Sequence, residues 1–119
     1  TRALKNLFTN FFKFDYYKSK LEKGKSLGGE VIYIKEDNLL SGIGSIYKDQ
    51  ERKNITLLKS NEESIKVDDF INILNDLHNN LGDTEILIGN NEDCKKEKKE
   101  IKNVEFAQYE SIKMLFINI

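Results

Sequence analysis

A chain of 119 residues and 13.8 kDa is long enough for one compact domain and short of two, so one core is the economical reading. With 39% hydrophobic and 33% charged residues it has the makeup of a folded domain able to bury a core without disulfide staples. The net charge of -1, from 19 basic and 20 acidic side chains, announces neither a wholesale grip on polyanions nor mimicry of nucleic acid by a strongly acidic surface.

Cys94 stands alone, which rules out an intrachain disulfide and points to a reducing compartment. No run approaches the roughly 20 apolar residues that span a bilayer, and the start of the chain lacks signal-peptide features. A cytoplasmic location without a transmembrane segment is therefore expected. Lys, Asn and Ile make up 44 of the 119 residues, a bias of AT-rich coding that suggests a low-GC bacterium or one of its mobile elements.

Charge is uneven along the chain. Residues 1–25 carry seven basic and two acidic side chains, whereas residues 60–93 carry one basic and nine acidic. A fold that separates these segments has a charge dipole, and one that brings them together pairs them.

In chain order, Leu4, Leu7, Phe8 and Phe11 share a helical face, and Phe12, Phe14, Tyr16, Tyr17 and Leu21 widen it beyond a tidy stripe. The expectation is an N-terminal helix over about 2–22, ending near Gly24, with Phe12 to Tyr16 alternating well enough to be a strand instead. After Gly28-Gly29, a flexible entry, the period changes to two. Glu30–Lys35, Leu39–Tyr47 and Ile55–Leu58 form a predicted antiparallel meander whose first turn lies at Glu36-Asp37-Asn38. The clearest element is a helix over about 68–81, with Asp68 as N-cap and Phe70, Ile71, Leu74, Leu77 and Leu81 at helical spacing before Gly82. A short strand at Glu85–Ile88 and a polar connection over 89–100 follow. Two extended segments, 101–107 and 111–117, then pair around Gln108-Tyr109-Glu110. The resulting architecture is a single α+β domain over 1–119, its mostly antiparallel sheet covered by the central helix and by the aromatic N-terminal one. Residues 31–58 share strand spacing alone with Sm-like proteins, and the long helix after them departs from that pattern, so no family is assigned.

Chemistry-bearing residues are sparse. His78, the only histidine, lies near the apolar stripe of the central helix and reads as a structural residue, so sites needing two imidazoles are excluded within one chain. Cys94 lies among Glu92, Asp93, Lys95 and Lys96 with no local partner for catalysis or redox chemistry. The carboxylates form no calcium-loop pattern, and Gly42-Ile43-Gly44 lacks the following Lys and Ser/Thr of a phosphate loop, so it reads as a bulge within a strand. No catalytic residue, cofactor or metal site is assigned.

The leading expectation is a small non-catalytic interaction protein, an accessory or inhibitory factor of a phage or plasmid. Its partner is another protein, with self-association as a variant, and its contact residues come from the acidic stretch: Asp69, Asp83, Glu85, Glu92 and Asp93. The alternative is a nucleic-acid-binding accessory protein using the basic aromatic N-terminal segment through Arg2, Lys5, Lys13, Lys18, Lys20, Lys23 and Lys25.

Overall fold

The computed structural model describes residues 16–49, 54–62, 64–81, 85–89 and 98–119. The fold is α+β: a curled, mostly antiparallel sheet with two helices packed on its inner face. Helix α1 covers 16–26; β1 (Val31–Glu36), β2 (Leu39–Asp49), β3 (Asn54–Ser60) and β4 (Ile65–Lys66) follow. Then come α2 (Val67–Leu81), β5 (Glu85–Gly89), β6 (Lys99–Glu100), β7 (Asn103–Tyr109) and β8 (Ile112–Asn118). The spatial order is β6-β5-β3-β2-β1-β8-β7, with β4 pairing with β1. Two neighbours are parallel, β1 with β8 and β3 with β5; the other pairs are antiparallel.

Alternation along the strands sends Ile32 and Ile34, Ile55 and Leu57, Ile86 and Ile88, and Leu115 and Ile117 into one core. Tyr17 and Leu21 of α1 and Val67, Phe70, Ile71 and Leu74 of α2 join that same cluster, so both helices cover the same face. The central helix thus matches its expected span. Asp68, read as its N-cap, lies instead in the first turn with Asp69, because the helix already begins at Val67, whose N–H donates to Glu30 O at 2.9 Å. Asp68 makes an ion pair with Lys25 across to α1, so at this point the basic and acidic segments meet.

Helix α1 runs to Ser26, past the expected end at 22–24; the expected helical residues 2–15 lie outside the described residues, and of the strand alternative over Phe12 to Tyr16 only Tyr16 is described, in the helix. The stop comes from Gly28, at φ 101°. Gly28 N–H donates to Lys25 O and Gly29 N–H to Gly24 O, both at 2.9 Å, the paired bonds of a Schellman cap. Gly24 serves a different purpose. A Cβ there would collide with Leu115, so its absence lets α1 settle directly on β8.

β2 divides its pairing: Leu39–Ser41 lie against β1, and Gly42 onward against β3. Gly44 is the extra residue of a bulge between Ile43 and Ser45, as the glycine pair implied, and a Cβ there would press on Ser60. Where β2 leaves, β4 takes over beside β1 at Val31 and Ile32. The Ser64 hydroxyl donates to Ile32 O and accepts from Ile43 N–H at 3.2 Å, which satisfies main-chain groups at the fork.

The last hairpin is shifted from expectation. Gln108 and Tyr109 belong to β7, and the turn is Glu110-Ser111, with Glu110 at φ 57°; Ile101 is not in a strand but a buried core residue where the chain passes from β6 to β7. The connection expected over 89–100 contains β6, and Gly89 belongs to β5.

Candidate functional site

Of the acidic candidates, Asp69 is exposed on the first turn of α2, and Glu85 is half-buried on β5 opposite Asn54; Asp83, Glu92 and Asp93 lie outside the described residues. Asp69 borders a shallow hollow at the sheet fork of about 590 Å3, with Lys66, Glu62, Ser60 and Gly44. Glu85 is not among the residues around that hollow.

Of the basic candidates, Arg2, Lys5 and Lys13 lie outside the described residues, Lys18 is half-buried, and Lys20, Lys23 and Lys25 are exposed on α1. Lys25 is taken up by Asp68. Lys20 and Lys23 point elsewhere: with Gly24, Leu27, Val104 and Phe106 they frame a groove of about 210 Å3 between α1 and β7. Among the described residues neither lysine forms an ion pair; the Lys20 ammonium instead sits 5.7 Å from the centre of the Tyr16 ring.

Local structure explains the groove. Tyr17, Leu21 and Gly24 form the buried stripe of α1, so Tyr16, Lys20 and Lys23, each one position before them, form the adjoining exposed stripe, and Leu27 follows in the turn just past the helix end. Tyr16 and Leu27 remain 45% and 49% exposed. The direction of α1 is fixed at both ends. Tyr17 OH donates to Ile101 O at 2.9 Å near the start of β7, and Gly28 abuts Lys113, which pairs with Gln108 near its end. Helix and strand therefore run side by side in the same direction. Val104 and Phe106, two residues apart, lie on the β7 face turned toward α1, and β7 has no strand beyond it among the described residues.

Two other polar clusters hold the sheet in shape. Glu36 receives Lys99 at 2.7 Å and Lys59 at 2.9 Å, and these bonds lower its carboxyl pKa to about 2. All three side chains continue the inward alternation of β1, β3 and β6, so the pairings tie together strands that the sheet order separates. On the outer face of β3, Lys98 donates to Thr56 Oγ1 at 2.8 Å, Thr56 donates to Asn54 Oδ1 at 3.0 Å, and the Lys98 ammonium lies 5.6 Å from the Tyr47 ring centre.

His78 is half-buried on α2, and Cys94 lies outside the described residues. Among the described residues no group of three or more His, Cys, Asp or Glu side chains gathers into a metal-binding set, and no helix is long and apolar enough to cross a membrane. No family model, curated protein or solved structure matches the chain.

Lys20 and Lys23 were legible as candidates from the basic run, whereas their apolar partners Leu27, Val104 and Phe106 were not. The one available signal was the alternation of Val104 and Phe106, which marks a strand face but not that the strand lies at an edge.

Proposed function

We propose that the protein acts by binding another macromolecule without chemical turnover, as an accessory or inhibitory factor, and that it does so through the groove between α1 and β7. The observation that carries this reading is the convergence at one place of an apolar floor, two lysines without carboxylate partners among the described residues, and a strand edge. Interfaces draw affinity from a few apolar anchors and use surrounding charge for steering and selection, and Leu27 and Phe106 with Lys20 and Lys23 supply that combination. The acidic surface at Asp69 is the weaker candidate, since its hollow is broad and shallow and is lined by charges of both signs.

A partner protein is favoured over nucleic acid. Two lysines are few for a phosphate backbone, and Glu22 is exposed on the same helix. The test is affinity capture from a low-GC bacterial host, mass identification, and calorimetry with the purified partner. A defined stoichiometry is expected, with affinity about tenfold weaker for Lys20→Glu/Lys23→Glu. Equal affinity of that variant would reject the groove. Retention of nucleic acid alone, with binding that falls steeply with salt, would favour the second reading.

A further inference from the structure

We infer that the occupant of the groove is an extended segment of a partner protein that adds as a strand to the free side of β7 and presents acidic side chains to Lys20 and Lys23. The inference rests on the interaction reading above and specifies its mode. β7 is a seven-residue strand paired on one side by β8, and among the described residues its other side carries no strand. Main-chain N–H and C=O groups along such an edge are a template for one more strand, the mode in which backbone bonds give affinity and alternate side chains give selectivity. The edge is short of the usual protections: Val104, Phe106 and Ala107 hold its middle, and Glu105 is engaged by Lys35.

The position of α1 then sets what the added strand must carry. Because α1 runs beside β7, alternate residues of an added strand on the Val104 and Phe106 face would pass under Lys20 and Lys23 of α1 and Leu27 just past its end. Alternate strand residues are about 6.6 Å apart and residues three apart on a helix rise about 4.5 Å, so neighbouring inward positions of the strand fall within the reach of two successive lysine side chains. An aliphatic residue flanked by carboxylates suits Phe106 and Leu27 between the two ammonium groups. A helix or a nucleic acid in the groove would leave the main-chain edge unused.

A second copy of this chain is a poor occupant. Antiparallel pairing of β7 with its own copy about a twofold axis places both α1 helices on the same face of the joined sheet. Lys20 and Lys23 of each copy would then face those of the other, a like-charge arrangement that opposes pairing.

The experiment is selection of binders from a random-peptide display library against the full chain, with counter-selection on Lys20→Glu/Lys23→Glu. Amide hydrogen exchange with the best synthetic peptide follows. The expected peptides alternate aliphatic and acidic residues, bind the wild type at least about tenfold more tightly than the double variant, and slow exchange of amides within 103–109. Charge-reversed peptides, with lysine for each acidic residue, should recover binding to the double variant. Acidic peptides that depend on Lys20 and Lys23 without protecting β7 would overturn strand addition and leave the groove standing. Selected peptides indifferent to the two lysines, or a library without binders while single-stranded oligonucleotides bind, would overturn both. Thermal unfolding of the double variant at the wild-type temperature shows that lost binding is not lost folding.

Discussion

Glu36 shows what one side chain does for this sheet. Its carboxylate is held at about 2 by the hydrogen bonds from Lys99 and Lys59, below the ordinary value of 4.5. The unfolded chain therefore takes up the proton more readily than the folded one, and the contribution of Glu36 is complete above about pH 4.5 and lost as pH falls toward 2. In urea titrations at a series of pH values, Glu36→Gln is expected to lower stability at neutral pH and flatten the acid slope over that interval; an unchanged slope would remove Glu36 as its source. Tyr17 works at the other end of the scale. Burial, with the nearby Tyr16, Glu100 and Glu85 charges adding to it, pushes its phenol up to about 12. The folded state keeps this proton where the unfolded chain gives it up, so its contribution is intact below pH 10 and declines as pH rises toward 12. Tyr17→Phe leaves the Ile101 carbonyl without its 2.9 Å donor, an expected cost of about 1–3 kcal/mol at neutral pH, and it removes this alkaline component. Denaturant unfolding at neutral and alkaline pH measures both.

Among the elements, α2 was the most legible in the sequence, because Phe70, Ile71 and Leu74 recur at helical spacing and the structure buries all three. Leu74→Ala is expected to cost about 2–5 kcal/mol in chemical unfolding followed by circular dichroism. The β1–β2–β3 meander was legible too, since alternation and turn residues are local signals. The end of α1 was not. Gly24 looked like a stop, yet it is a contact site for Leu115, and the positive φ that ends the helix falls four residues later at Gly28. The two roles separate by mutation. Gly28→Ala is expected to cost about 1 kcal/mol from backbone strain, whereas Gly24→Ala is expected to cost about 1–3 kcal/mol by forcing α1 away from β8. Equal thermal stability of wild type and both variants would contradict these assignments. The strands β4 and β6, of two residues each, have no periodicity to detect, and the parallel pairings of β1 with β8 and β3 with β5 depend on residues far apart in the chain. The Lys99 to Glu36 bond, spanning 63 positions, is invisible to a local reading for the same reason.

Across the whole molecule, the basic start and acidic centre of the chain meet through Lys25 and Asp68, while Lys20 and Lys23 are left to face the groove. The basic residues could be read from composition. Their division into a paired lysine and two groove lysines could not, because it depends on where α2 and β7 lie against α1. The same topology places β7 at a sheet edge among the described residues, and so sets a basic helix as one wall of the proposed binding groove. Backbone amide shift mapping during titration with the purified partner locates that site directly. The largest changes are expected at Lys20, Lys23 and Leu27 and along 103–109; changes concentrated at Asp69 and Glu85, with α1 and β7 unmoved, would contradict the proposed surface.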